Sequence, residues 1–252
     1  MVKENDEIGS EKGQVSIFVI IGILIIVIMM LVVFFIGNND LKRSDPTFDP
    51  VISFVERCVD ETSLESVFHV AERGGYFISP DGSLYAKYPY YYDEGKINIL
   101  SLEEIEENMN EYVEQSLFFC TKNFVDFPDF EVNQGEVIVK SNIEEEVVTF
   151  KIDFPLSISK GGFSVSLSDF TSEVPSRLFT LHEISSKIME DHNLYPNQIC
   201  HTCLLDYAEE YDLFVDLVDK DSDKVIFTVR DEESFINDER LKFKFVNRYE
   251  II

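Results

Sequence analysis

The chain has 252 residues, with 48 acidic against 21 basic side chains, a formal net charge of −27 and a pI near 4.3. That balance repels nucleic acid and anionic headgroups and argues against either as a partner, while 22 Phe and 11 Tyr supply a core and exclude a disordered tail. Such acidity fits a salt-rich medium that screens self-repulsion, a cationic partner, or a solvated surface.

Residues 1–14 form a short tail, and residues 15–36 (VSIFVIIGILIIVIMMLVVFFI) an apolar run without a charged side chain. At helical rise the run covers about 33 Å, enough to cross a hydrocarbon core of about 30 Å. A helix apolar on every face for that length is a membrane span, not a soluble helix. A cleavable signal has a shorter apolar stretch and a small-x-small site, and Gly37-Asn38-Asn39-Asp40 offers none. The expectation is a retained single span. Lys3 and Lys12 before it balance Lys42 and Arg43 after it, so flanking charge leaves the orientation tied.

Immediately ahead of the run stands Lys12-Gly13-Gln14-Val15-Ser16. This entry resembles the class III signal peptides of archaeal type IV pilin-like proteins. The resemblance implies a cut between Gly13 and Gln14 on the cytoplasmic side, with the apolar helix kept on the mature protein; the alternative is an uncleaved signal anchor. Phe18 stands where that family usually has Glu, which weighs against a filament subunit. Together with the cysteine usage, the motif places the C-terminal domain outside the cytoplasm.

Residues 37–48 read as a polar stalk, and residues 49–252 as an acidic ectodomain with a helical part (49–127) and a sheet-rich part (128–252). Asp49-Pro50 opens a helix, Asp at the cap and Pro in the first turn. Its apolar face carries Val51, Phe54, Val55, Cys58, Val59, Val67, Phe68 and Ala71, and Gly74-Gly75 ends it. Pro80-Asp81-Gly82 is a turn signal, followed by the Tyr-rich segment Tyr85, Tyr88, Tyr90, Tyr91, Tyr92. Ser101-Leu-Glu-Glu104 is a capping box for a second helix with Ile105, Met109, Tyr112, Val113, Leu117 and Cys120 inward. Beyond Pro128 the period becomes two, giving four strands in an antiparallel meander up to Leu167. A third helix follows Pro175-Ser176, Pro196-Asn197 caps a short fourth, and three more strands end near Val246. Segregated helices and strands predict an α+β fold, one antiparallel sheet with helices on one face.

The even set Cys58, Cys120, Cys200 and Cys203 predicts disulfides, with three pairings possible. Cys58 and Cys120 lie on the apolar faces of two helices able to pair, leaving Cys200 with Cys203. Cys200-His-Thr-Cys203 admits a structural bridge, a redox pair with a thiolate favoured by a helix N-terminus, or half a zinc site with His201 and either His182 or His192. The Tyr segment is the candidate contact surface, since Tyr joins a large apolar ring to a polar tip. The alternative is a loop with alternate rings in the core. Acid runs such as Glu103-Glu104-Glu106-Glu107 have no calcium-loop spacing and read as solvated. Motifs for nucleophilic, metalloprotease or nucleotide chemistry are missing, so no cofactor or metal is expected.

A broader resemblance rests on the order of features. The Lys-Gly-Gln-led span, Phe54-Val-Glu-Arg-Cys58, Gly74-Gly75-Tyr76, a Tyr/Pro loop and a helix ending near Cys120 look like a group of single-span surface proteins of small-genome archaea. The resemblance supports this architecture and carries no activity with it; the expectation adopted is a non-catalytic, membrane-anchored surface protein that presents its acidic domain to a protein partner or for self-assembly. The alternative is a membrane-tethered thiol-disulfide oxidoreductase using Cys200 and Cys203.

Overall fold

The computed structural model describes residues 21–30, 47–93, 95–196, 198–236 and 238–249. The chain divides into two compact units, Met1–Asp45 and Pro46–Ile252. In the first, residues 21–30 are helical; the rest of the expected span, with Gly13 and Gln14, lies outside the described residues. Among the described residues no helix is long and apolar enough to cross a membrane.

The second unit runs α1 (Asp49–Glu72), β1 (Tyr90–Asp93), β2 (Lys96–Ile97), α2 (Leu102–Thr121), β3 (Glu131–Gln134), β4 (Ile138–Ile143), β5 (Val147–Lys160), β6 (Phe163–Pro175), α3 (Leu178–Leu194), α4 (His201–Glu210), β7 (Leu213–Asp221), β8 (Lys224–Ile236) and β9 (Glu239–Arg248). It is α+β, but with two sheets where one was expected. The larger has the order β2-β1-β9-β8-β7, and the smaller places β3 and β4 on one side of β5 with β6 on the other. α1 packs on both β6 and β9, so the helical and sheet-rich stretches share one core.

The start of α1 corrects the expected stalk boundary. Phe48, not Asp49, takes the N-cap position, and its ring is 2% exposed because it packs edge-on against Phe130. Residue 48 therefore belongs to the core. The other end of α1 follows the glycine reading. Gly75 N–H bonds Val70 O at 2.9 Å and Gly74 N–H bonds Ala71 O at 3.1 Å, the crossed pair of a Schellman motif. Gly74 has φ +56°, and a Cβ there would stand 2.7 Å from Lys244 O.

The expected meander is altered at its first strand. β3 pairs with Gln134↔Leu156 and β4 with Ile138↔Asp153, so these two are halves of one broken strand along β5. The break faces Pro155, which has no N–H to donate and whose carbonyl instead accepts from Gly135 N–H at 2.7 Å. The shift in β5–β6 pairing between Asp153 and Leu156 lies at the same place.

The outer edge of β4 is closed by side chains of α2. Glu106 Oε1 accepts Ile143 N–H at 2.8 Å, Asn110 Oδ1 accepts Ser141 N–H at 2.7 Å, and Glu114 Oε1 accepts Val139 N–H at 2.9 Å. Four helical residues rise about 6 Å and two strand residues about 6.8 Å, so an i, i+4, i+8 row matches every second edge amide. Glu104 completes the Ser101 capping box. Two acids of the expected solvated run thus carry structural bonds.

Candidate functional site

The Tyr-rich segment divides between core and surface. Tyr90–Asp93 is a strand, β1, pairing parallel to β9, where the sequence pattern predicts a loop. Tyr91 is 0% exposed, stacks on Phe245 at 4.7 Å and donates to Gly74 O at 2.8 Å; Tyr92 is also buried, against His192 and Tyr249. Those two tyrosines are therefore core residues; consecutive strand residues normally alternate in face, and the shift in β1–β9 pairing between Tyr90 and Tyr92 is the bulge that lets both be buried. Burial raises the Tyr91 hydroxyl well above its ordinary pKa. Tyr90 is half-buried, with the Arg248 guanidinium 5.1 Å from its ring centroid.

Tyr85 is 67% exposed and Tyr88 is half-buried. Leu84 and Tyr88 form a bridge, and Lys87 N–H bonds Leu84 O at 3.1 Å, closing a tight turn with Tyr85 and Ala86 at its centre. Both central residues have positive φ, 56° and 53°. That is the geometry of a type I′ turn, where Asn-Gly is the usual occupant. Placing Tyr and Ala there costs on the order of 1–2 kcal/mol per residue. The cost holds an aromatic ring out in solvent at one fixed point.

Beside the turn lies the outer face of the five-stranded sheet. Tyr85, Tyr88, Lys220, Arg230, Lys242 and Lys244 line a cleft of about 430 Å³, with Asp216 its one acid and Val218, Ile226 and Thr228 as its floor. Strand register builds it in rows. Arg230 faces Phe214 on β7 and Lys242 on β9; Thr228 faces Asp216 and Lys244. Arg230 and Lys242 are like charges directly opposite, a destabilising placement in a sheet. Glu232 accepts from Arg230 at 2.6 Å and relieves it in part. Lys244 and Lys87 bond Glu72 at 3.1 and 3.0 Å. Burial pushes the Glu72 carboxyl up, but these two ammonium groups outweigh it and hold its pKa below the ordinary value. Among the described residues, Lys242 and Lys220 have no carboxylate within ion-pair distance. On a chain of net charge −27, four cations and two tyrosines thus converge on one concave face. The arrangement can hold an anionic group by charge and an adjacent apolar surface by the rings.

The two CxxC cysteines form a second locus. Cys200 and Cys203 are bonded, with Cα atoms 5.3 Å apart, and Cys58–Cys120 joins α1 to α2 at 5.7 Å. Cys200 itself is the N-cap of α4, its Sγ accepting Cys203 N–H at 3.3 Å, so the cap is a disulfide sulfur and not the expected Pro196-Asn197 pair. Asn197 lies outside the described residues. Leu194, Tyr195 and Leu205, close in sequence, are exposed. Two of the histidines weighed as zinc ligands, His182 and His192, have other partners. His182 bonds Leu100 O at 2.7 Å, and buried His192 bonds Ile188 O at 2.7 Å and Tyr249 at 2.5 Å. Burial lowers both pKa values. Among the described residues, no group of three or more His, Cys, Asp or Glu is placed to hold a metal.

Sequence reading missed the cations of the cleft. Leu241-Lys-Phe-Lys-Phe245 alternates as any half-exposed strand does, and nothing local ties Lys242 to Tyr85. Comparisons with protein families, curated proteins and solved structures found no match.

Proposed function

We propose that this is a membrane-anchored, non-catalytic surface protein whose ectodomain binds an acidic segment of a protein partner in the Tyr85–Lys242 cleft. Residues 15–36 are the anchor, the ectodomain lies outside the cytoplasm, and the Lys12-Gly13-Gln14 entry is a pilin-like processing signal. The observation that carries the binding role is the cleft itself: cations set against one another and a strained aromatic turn, on a chain otherwise strongly acidic. Such placements cost stability and persist at sites with a task. The Cys58–Cys120 bridge supports an oxidising compartment. A second copy of this chain, acidic as it is, fits the same chemistry, which makes self-assembly one form of the reading.

The test uses the full chain in neutral vesicles and a fluorescent oligoglutamate peptide, with oligolysine as control. Saturable oligoglutamate binding that weakens with salt and falls about tenfold in Tyr85→Ala supports the reading. Equal binding of both peptides, or of neither, contradicts it.

The alternative, a tethered thiol-disulfide oxidoreductase, draws on one observation: Cys200 caps α4, where amides and dipole favour its thiolate. Alkylation across pH after mild reduction decides it. A Cys200 thiol reacting well below pH 8 and turning over a dithiol substrate favours catalysis; a bridge that resists reduction favours structure.

A further inference from the structure

The outer edges of the two sheets are not alike. β4 is sealed by side chains of α2, and β2 is only Lys96–Ile97. β7 carries exposed Asp216, Asp219, Lys220 and Asp221, charges of the kind that keep strand edges from pairing. β6 differs from all of these. It is 13 residues long and, among the described residues, pairs only with β5, so its other side is open to a further strand. Its second half is guarded: Asp169, Glu173 and Pro175 stand there, and Ser172 Oγ bonds Asp60 of α1 at 2.8 Å. Its first half, Phe163-Ser-Val-Ser-Leu-Ser168, has no charge and no Pro. It has no bulge either, since the pairing shift at Asp153–Leu156 puts the extra residue in β5.

Register shows what this half strand lacks. Val132, Ile158 and Val165 form one row across the smaller sheet, and Gln134, Leu156 and Leu167 the next. Ile158 and Leu156 are buried, whereas Val165 and Leu167, at the ends of the rows, are half-buried. The apolar rows therefore stop at an open edge. Ser164 and Ser166, which alternate with them, are exposed on the opposite face.

The order of these side chains selects the occupant. An antiparallel copy of the same strand, centred on Ser166, sets Ser166 against Ser166, Val165 against Leu167 and Ser164 against Ser168. Each apolar residue then meets an apolar one and each serine a serine, both favourable cross-strand pairs. The apolar rows of one copy run on into those of the other. Charge points the same way. With −27 on each chain, two copies repel over most of their surface, and this charge-free strip is where they can approach. A two-fold axis makes the contact self-complementary and closed, so assembly through it stops at a dimer. We infer that the Phe163–Ser168 edge of β6 pairs with the same edge of a second copy, joining two smaller sheets into one across a dimer. The contact uses neither the cleft nor residues 15–36.

A cysteine placed on the axis reads the register. Cys58, Cys120, Cys200 and Cys203 are all bridged, so one added cysteine is a single free thiol. Full-length Ser166→Cys and Ser164→Cys variants are compared in excess detergent, with copper phenanthroline as oxidant. In the inferred register two copies of position 166 face each other. Two copies of position 164 are offset by about 13 Å along the strands, beyond disulfide reach. The expected result is a covalent dimer of Ser166→Cys forming about tenfold faster than one of Ser164→Cys, with no effect of excess oligoglutamate. Equal rates, a faster Ser164→Cys, or no crosslink from either variant overturns the inference. Loss of the crosslink in oligoglutamate also overturns it, because the copies then meet through the cleft. Charge at the same position gives a readout without a new thiol. Ser166→Glu and Ser166→Lys each set like charges opposite on the axis and should weaken the dimer about fivefold in sedimentation, and an equimolar mixture should restore it. Single variants that sediment as the unaltered chain does, or a mixture that stays as weak as its components, overturn the pairing.

Discussion

The two sheets use their polar side chains in opposite ways. On the smaller sheet, Glu106, Asn110 and Glu114 of α2 are matched to the edge amides of β4, so acids that look solvated in sequence hold structure together. On the larger sheet, Arg230 and Lys242 are like charges directly opposite each other on an open surface; Arg230 is partly compensated by Glu232 at 2.6 Å and by the Phe214 ring at 4.3 Å, whereas Lys242 has no carboxylate within ion-pair distance among the described residues. One region uses charge to stabilise the fold; the other keeps charge at a cost to the fold. Residues of the second kind are the ones to examine for function.

The largest effect is expected in the helical scaffold. Replacing Cys58 and Cys120 by Ser opens a crosslink between positions 62 apart and lowers unfolding free energy by about 4 kcal/mol in the chain-entropy view. The same change at Cys200 and Cys203, 3 apart, costs much less, and urea titrations of the two double variants measure the difference. Next, Asn110→Ala leaves the Ser141 amide without its acceptor and costs about 1–3 kcal/mol. Faster hydrogen exchange at Ser141, with oligoglutamate binding unaltered, is the expected signature. An unchanged urea midpoint would mean that the edge is not sealed by α2.

A smaller effect is expected from pH. Burial lowers the His192 and His182 pKa values in the folded chain below 6.5. As pH falls through 6.5, the unfolded chain takes up protons that the folded chain does not. The stability contributed by the neutral rings is therefore full above that value and lost toward the folded-state pKa. Protonated His192 also loses its ability to accept from Tyr249 while Nδ1 donates to Ile188 O. His192→Gln should flatten the decline in thermal midpoint between about pH 7 and pH 5. An undiminished decline would place the acid sensitivity elsewhere.

Local chemistry was readable wherever the cause was local. Ser101 and Glu104 satisfy each other across one turn, Gly74 and Gly75 end α1 by their φ angles, and the helical faces place Cys58 and Cys120 toward each other. What escaped depends on distant partners. The assignment of Tyr91 and Tyr92 to the core comes from a parallel pairing with β9, more than a hundred residues away, which no periodicity in five tyrosines reveals. The bonds of Glu106 need β4 beside α2, and the cleft needs the Tyr85 turn beside Lys242. The sequence pattern runs a strand up to Phe154 without using Pro155, and only the register shows that this residue faces the break between β3 and β4.

The most direct measurement takes Lys242→Glu and records oligoglutamate affinity and urea midpoint on the same sample. The expected result is an affinity loss of about tenfold with a midpoint unchanged or slightly raised, because the like-charge pair with Arg230 becomes an attractive one. Unchanged affinity, or affinity lost only in step with stability, would contradict the assignment of this face to binding.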